Sequence, residues 1–372
     1  MAGRTAGTYL VTGGAGFIGR YLCEELLAQG HHVRVVDGLI EQVHGSGKPR
    51  LPADVEFIHG DIRDAALLDS ALVGVDGVFH LAAEVGVGQS MYEIARYVGA
   101  NDLGTAILLE RLIARPVQRL VVASSMSVYG EGLYRNAGGR DDGSVRRVLK
   151  EGSTQWDPLD PDGGKLVPVP TDESKPVDLA SVYAVTKFVQ ERNSLIVSRA
   201  YGMEAVALRL FNVFGPGQAL SNPYTGVLAN FGARLLNGLP PLVFEDGRQR
   251  RDFVHVRDVA RAFRLAMERP AAAGHVINIG SGRSYTIGRI AEMLAEAMRV
   301  PELAPQLLGK ARAGDIRHCF ADISKARALL GFSPEHPLED TIDEAAAWIR
   351  GSEATDRGEH ARSQLEARGL MA

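Results

Sequence analysis

Thr12-Gly13-Gly14-Ala15-Gly16-Phe17-Ile18-Gly19 follows a strand-forming run, Thr8-Tyr9-Leu10-Val11. A helical pattern carried by Leu22, Leu26 and Leu27 comes after it and stops at Gly30. The order is buried strand, glycine turn, helix. Gly13 permits the tight turn, Gly16 lets the backbone approach a phosphate, and Gly19 lets the helix pack on the strand. The N-terminus of a helix carries partial positive charge and unpaired N–H groups, so it can hold a pyrophosphate. A second strand, 32–36, ends in Asp37, about 20 residues beyond the turn. An acid there bonds ribose hydroxyls and repels a 2′-phosphate, which points to NAD rather than NADP. The plainer reading is a structural glycine turn with a capping aspartate.

Alternation of strand and helix continues downstream. The apolar run 55–59 leads into Gly60-Asp61-Ile62-Arg63-Asp64 and a helix over 65–72. Asp61, at a strand's carboxyl end, is placed for the adenine side of a dinucleotide or for capping the next helix. Gly77-Val78-Phe79-His80-Leu81-Ala82-Ala83 is a strand whose small exit residues let a ligand lie close to the backbone. A helix is expected over 94–114, interrupted at Gly99 and Gly104, with Asn101 inside it. Arg119-Leu120-Val121-Val122-Ala123 is a further buried strand, and it ends in Ser124-Ser125-Met126-Ser127-Val128-Tyr129-Gly130. Ligands of open parallel sheets bind at the carboxyl ends of the strands, so these hydroxyls are placed for a substrate oxygen. A polar strand exit accounts for them equally well.

Ser181-Val182-Tyr183-Ala184-Val185-Thr186-Lys187 falls in a stretch without Pro or Gly from 178 to 201. Read as one helix, it puts Tyr183 and Lys187 on one face. An ammonium beside a phenol favours the phenolate, so this pair can serve as a base near neutral pH. Two polar residues on a solvated face are the alternative.

The composition excludes several classes. The 372 residues are 45% hydrophobic and 23% charged, with a formal charge of −4. That is ordinary globular composition, and the acidic balance argues against nucleic-acid binding. Cys23 and Cys319 are too few for a disulfide framework or a zinc cage. The ten histidines show no metal-ligand spacing. No apolar run approaches the roughly 20 residues that span a bilayer. A strand begins within ten residues of the start, which leaves no room for a signal peptide, and a reducing cytoplasm fits best.

The pattern breaks between 131 and 176, where Gly138-Gly139, Asp141-Asp142-Gly143 and Asp160-Pro161-Asp162-Gly163-Gly164 occur. This reads as an insertion folding over the mouth of the site, or as a disordered surface loop. Arg146, Arg147 and Lys150 read as a solvated cluster. A strand at 205–210 closes the first lobe, 1–211, and leads into Phe211-Asn212-Val213-Phe214-Gly215-Pro216-Gly217. The second lobe, 212–350, is expected to carry helices at 225–237, 286–298, 324–330 and 338–349, while about 253–280 returns to the first. The tail, 351–372, is polar and expected to be loosely held. The architecture expected is a Rossmann-type α/β fold, a doubly wound parallel sheet with a smaller substrate-binding α/β lobe.

These residues together resemble the extended short-chain dehydrogenase/reductase proteins that modify nucleotide sugars. The resemblance spans 8–350 and rests on the glycine turn, Gly60–Asp64, His-Leu-Ala-Ala at 80–83 and Asn-Asp-Leu-Gly-Thr at 101–105. It continues through 124–130, Tyr-Ala-Val-Thr-Lys at 183–187, 209–216, Arg-Asp-Phe-Val-His-Val at 251–256 and Gly-Asp-Ile-Arg-His at 314–318. It implies Tyr183 as base, Lys187 as its activating lysine and ribose partner, and Ser125 as the catalytic hydroxyl. It places Gly13, Gly16, Phe17, Ile18, Gly19, Asp37, Asp61, Ile62, Leu81, Ala82, Ala83, Asn101, Ser124, Leu210 and Val213 on NAD. It places Val87, Gly88, Met126, Ser127, Asn212, Val227, Leu242, Phe244, Arg251, Arg312, Asp315 and Cys319 on a nucleotide-diphosphate sugar. Guanidinium suits diphosphate, and 242–244 matches the nucleobase position.

The family's 4,6-dehydratases carry Asp-Glu directly after the catalytic Thr, where this chain has Met126 and Ser127. The resemblance therefore implies 4-epimerisation through a transient 4-keto sugar. Cys319 matches a position where a small residue is associated with a roomy sugar pocket, and a plain buried cysteine is the commoner explanation. Segment 86–92 with the long insertion is similar to dTDP-L-rhamnose 4-epimerases; UDP-hexoses remain candidates. A dehydratase, reductase or decarboxylase of the same family, and a non-catalytic nucleotide-binding protein, are the alternatives. The family also implies a homodimer built on the 94–114 and Tyr183 helices, with Leu108, Leu112, Val189 and Leu195 as candidate contacts.

Overall fold

The computed structural model describes residues 6–45, 49–147, 154–222, 224, 226–312, 314–354, 356 and 358–371. Seven parallel strands form its centre: β1 Thr8–Thr12, β2 His32–Asp37, β3 Glu56–His59, β4 Gly77–His80, β5 Arg119–Ser125, β6 Glu204–Leu210 and β7 Val276–Ile279. In space they run β3-β2-β1-β4-β5-β6-β7. The order reverses between β1 and β4, which opens a crevice at the strands' carboxyl ends. Thr12 is level with Val36 and with His80, and Ser125 with Leu210, so those ends form one rim.

Helices cover both faces, so the strands are apolar throughout rather than alternating; Leu120, Val121 and Val122 are all fully buried. On one face, Leu22 and Leu26 of helix Phe17–Ala28 pack with Val259 and Phe263 of helix Val256–Glu268. On the other, Leu108 and Leu112 join Leu10 and Val36. A separate core in the second lobe gathers Phe231, Leu294 and Ile342 from helices Val227–Leu236, Ile287–Ala297 and Leu338–Arg350.

Several expectations change. The Tyr–Lys helix runs Val182–Ala200 and does not include 178–181. Ser181 caps it through Ala184 N at 3.1 Å, while Asp178 N donates to Val128 O and holds the preceding residues against the β5 exit. The helix over 94–114 is not broken at its glycines: Ile94–Tyr97 passes through a π-turn, Val98–Leu103, into Gly104–Ala114. Thr225 and Lys150 lie outside the described residues.

Among its described residues, the 131–176 segment is not structureless. Leu133–Arg135, Asp141–Asp142 and Val167–Val169 form a small antiparallel sheet. Gly132 N and Thr171 N donate to the carbonyls of His318 and Phe320, so the segment is sewn to the second lobe. Arg147 is buried, not solvated, and donates to Glu245 at 2.6 Å. Arg317, fully buried, bonds Asp157, Glu245 and Asp246. Glu131 accepts from Arg317 N, His318 N and the Tyr134 hydroxyl. The tail is not loose either. It forms helix Gly358–Glu366, with Ala361 and Leu365 buried.

Candidate active site

A single cleft of about 2790 Å³ runs from the glycine turn, across the β1/β4 crevice, to the second lobe. Cofactor and drug-sized sites fill roughly 300–1,000 Å³, so two nucleotides fit end to end. At its inner end Gly13 has φ of +70°, and a Cβ there would stand 2.7 Å from Ala82 N. A Cβ on Gly19 would meet Gly14 Cα at 2.5 Å. The turn therefore needs glycine at both positions. Gly16, Phe17 and Ile18 open the first helix on the cleft wall, and no side chain among the described residues caps that helix start. Asp37 sits at the end of β2, where its carboxylate accepts from Ala15 N at 3.0 Å and Leu39 N at 2.9 Å. It fixes the turn to the strand and still faces the cleft. Asp61 pairs with Arg63 at 2.5 Å, and Asp64, rather than Asp61, caps the helix that follows. Ile62, Leu81, Ala82, Ala83, Ser124, Leu210 and Val213 complete this half of the wall. The cradle and the outward-facing helix start fit a dinucleotide.

Asn101 is a correction. It is fully buried and does not reach the cleft; it bonds Glu84 N, Glu84 O and the Thr186 hydroxyl. Its place in the π-turn turns the amide inward, so it braces the β4 exit against the Tyr–Lys helix.

Ser125, Tyr183 and Lys187 meet where the two halves of the cleft join. The Ser125 hydroxyl is near enough to the Tyr183 phenol to favour its ionised form, and Ser125 Oγ accepts from Ser127 N at 3.1 Å. Tyr183 N donates to Ser90 Oγ at 3.0 Å, which seats the start of its helix on helix Val87–Ser90. Burial pushes the Tyr183 phenol up to about 12, opposed by the nearby Ser125 hydroxyl. Burial takes Lys187 down to about 7, with Glu191 and Asp102 pulling the other way. The expectation that the ammonium would dominate the phenol is thus corrected: burial is the largest influence on the phenol, and the group opposing it is Ser125 rather than Lys187.

Sequence reading missed what holds the lysine. Lys187 Nζ donates to Gln190 Oε1 at 2.7 Å, Gln190 bonds the Thr105 hydroxyl, and Thr105 meets His80 Nε2 at 2.8 Å. His80 Nδ1 in turn meets Thr12 Oγ1 at 2.7 Å. A buried polar chain so runs from the glycine turn to Lys187. Glu191 accepts from Ser124 Oγ and from Arg209. Gln190 and Glu191 lie seven and eight residues after Tyr183, on its face of the helix; that spacing was the available signal.

On the second-lobe side, Arg312 forks onto Asp315 at 2.9 and 3.0 Å and stacks over the Phe244 ring at 4.5 Å. Arg251 donates to the backbone carbonyls of Arg317 and Ile316. Leu242, Val227, Asn212, Val87, Gly88, Met126 and Ser127 also line the cleft. Ser127 Oγ and Asn212 Oδ1 are buried and have no hydrogen-bond partner among the described residues. Buried polar atoms are rarely left so, and both residues lie on the cleft wall. Cys319 is the second correction. It is 1% exposed, is not part of the cleft wall, and its Sγ lies against Thr171 of the insertion. The insertion strand covers the position through which it would have shaped a sugar pocket.

The model of the NAD dependent epimerase/dehydratase family matches residues 9–280. The chain belongs to that family. It is 37% identical over 350 residues to a dTDP-L-rhamnose 4-epimerase of Burkholderia thailandensis, covering 91% of this chain and 94% of that protein. Among solved structures, it superposes on a UDP-N-acetylglucosamine 4-epimerase of Methanobrevibacter ruminantium with a TM-score of 0.76 at 30% identity, covering 94% and 99% of the two chains. A Thermus thermophilus UDP-glucose 4-epimerase in complex with NAD matches with a TM-score of 0.73 at 30% identity, covering 93% and 100%. Membership brings the NAD-dependent chemistry of the family to this cleft. No helix among the described residues is long and apolar enough to cross a membrane.

Proposed function

We propose that this chain is an NAD-dependent nucleotide-sugar 4-epimerase. The observation that carries the reading is the convergence of Ser125, Tyr183 and Lys187 at the junction of a dinucleotide cradle and an arginine-lined second half. When bound, NAD supplies a reversible hydride acceptor and a positive charge in the same cleft. Tyr183 takes the proton of the sugar's C4 hydroxyl and later returns it, and Ser125 orients that oxygen. Lys187, steadied by Gln190, supports the phenol. Arg312 and Arg251 grip the diphosphate, with Phe244 at the base, so binding energy comes from the nucleotide and the sugar stays free to turn. Met126 and Ser127 both face the cleft and neither is an acid, which favours epimerisation over elimination of water. The similar Burkholderia protein's name supports a dTDP-6-deoxyhexose substrate, with UDP-hexoses next.

Tyr183→Phe removes the proton acceptor and is expected to lower turnover by roughly 10²–10⁴ while bound NAD and the melting temperature stay unchanged. NMR or mass spectrometry of products across UDP, dTDP, GDP and CDP sugars is the test. Full activity in that variant, or net cofactor reduction with a stable keto product, overturns the assignment.

Two further features fit this reading. Ile94, Val98, Leu103, Val185 and Ile196 are exposed on the two helices expected to pair in a homodimer. Leu108 and Leu112 belong to the core instead. Cys23 and Cys319 are buried free thiols, in keeping with a reducing cytoplasm.

A further inference from the structure

The C-terminal segment crosses the cleft from one lobe to the other. On the second-lobe side Arg234 pairs with Asp356 at 2.9 Å, and Asp356 in turn accepts from Gly358 N at the start of the tail helix. The helix then carries Leu365 onto helix Val87–Ser90 of the first lobe: a Cβ on Gly88 would lie 3.5 Å from Leu365 Cδ2. Arg368 stacks over the Tyr92 ring at 4.4 Å. The chain turns back, and Met371 forms an antiparallel backbone bridge with Arg312.

These anchor points are not arbitrary surface. Helix Val87–Ser90 seats the start of the Tyr183 helix through Ser90, and Arg312 is the guanidinium stacked on Phe244. Leu365 and Arg368 themselves line the cleft. One short segment therefore touches the sugar end and the nucleotide end of the same cavity.

We propose that residues 358–371 are a strap completing the substrate site, with Leu365 and Arg368 forming its third wall over the sugar and Met371 positioning Arg312 for the diphosphate. The proposal deepens the epimerase reading and rests on it. The strap spans the mouth, so it opens to admit a nucleotide sugar and closes behind it, and an ordinary surface tail would do neither. Enclosure also keeps a keto sugar from leaving before its proton and hydride are returned. A Cβ at Gly88 would meet Leu365 only at ordinary contact distance, 3.5 Å. Lifting the strap uncovers Ala361 and Leu365, which are buried when it is seated.

Two variants and one binding probe test this. A chain ending at residue 357 keeps the Asp356–Arg234 pair and loses the strap; Leu365→Asp in the full chain puts a charge against Gly88 and serves if the shorter chain folds poorly. Both are expected to raise KM for the nucleotide sugar about tenfold or more, with bound NAD per chain unchanged. Separately, UDP and dTDP are expected to slow hydrogen exchange over 358–371 in the full-length protein. KM and kcat within about twofold of the parent in both variants, or unchanged exchange with either nucleotide, overturns the strap. The exchange measurement needs no turnover, so it separates failure of the strap from failure of the epimerase reading.

Discussion

Lys187 and Tyr183 illustrate how far residue spacing goes. Their interval of four predicts a shared helix face, and the structure has it. Their ionisation was not legible, because it depends on burial and on partners distant in sequence. Gln190, Thr105 and His80 bond the lysine into the interior through contacts spanning up to 110 residues. Asn101 and Cys319 show the same limit. Motif position placed both at the ligand, but a π-turn and a neighbouring strand direct them inward. His80 gives a prediction at this scale. Burial holds its imidazole down to about 3, with Lys187 adding to the effect. Below its unfolded pKa of about 6.5, the unfolded chain takes up a proton that the folded one refuses. Its share of stability is therefore lost as pH falls from about 6.5 towards 3, at up to about 1.4 kcal/mol per pH unit. His80→Asn has no such term. The gap in melting temperature between the parent and this variant is expected to narrow between pH 7 and pH 5; a gap that widens contradicts the assignment.

At the scale of elements, the strand–turn–helix opening, the parallel strands and the long helices were readable from apolar runs and glycine placement. Their ends shifted by one to four residues where caps decided the boundary, as at Ser181. The insertion was not readable. Its strands are two or three residues long, too short for periodicity, and its hold on the second lobe combines backbone hydrogen bonds with ion pairs. Arg147 reaches Glu245 and also donates to Asp315 O at 3.2 Å. It thus steadies the turn that carries the Arg312–Asp315 fork and the residue after Phe244. Arg147→Ala leaves Glu245 buried with Arg317 as its remaining partner, at a cost of about 1.5–3 kcal/mol. The expected outcome is a lower denaturation midpoint and a higher KM for nucleotide sugar, with kcat nearly unchanged. A fall in kcat at constant KM argues that the clamp acts on chemistry instead.

For the whole molecule, β7 extends the central sheet beside β6, and helix Val256–Glu268 packs on the first helix. The tail's path could not be inferred, since its polar composition hides two buried positions, Ala361 and Leu365. The exposed apolar residues on the helix pair lead to a prediction about assembly. Ile196, 56% exposed, sits on the outer face of the Tyr–Lys helix. Light scattering of the parent is expected to give a dimer mass, and Ile196→Asp a monomer mass; a monomeric parent removes the homodimer. Arg317 and Arg147 carry one more consequence. Arg317 joins Asp157 of the insertion, whose side chain is half exposed, to the buried Glu245 and the partly buried Asp246 of the second lobe. A chimera that transplants 131–176 into a related scaffold lacking an acid at the Glu245 position would strand the Arg147 guanidinium away from its carboxylate, so the two segments are expected to be heritable, and engineerable, only as a pair.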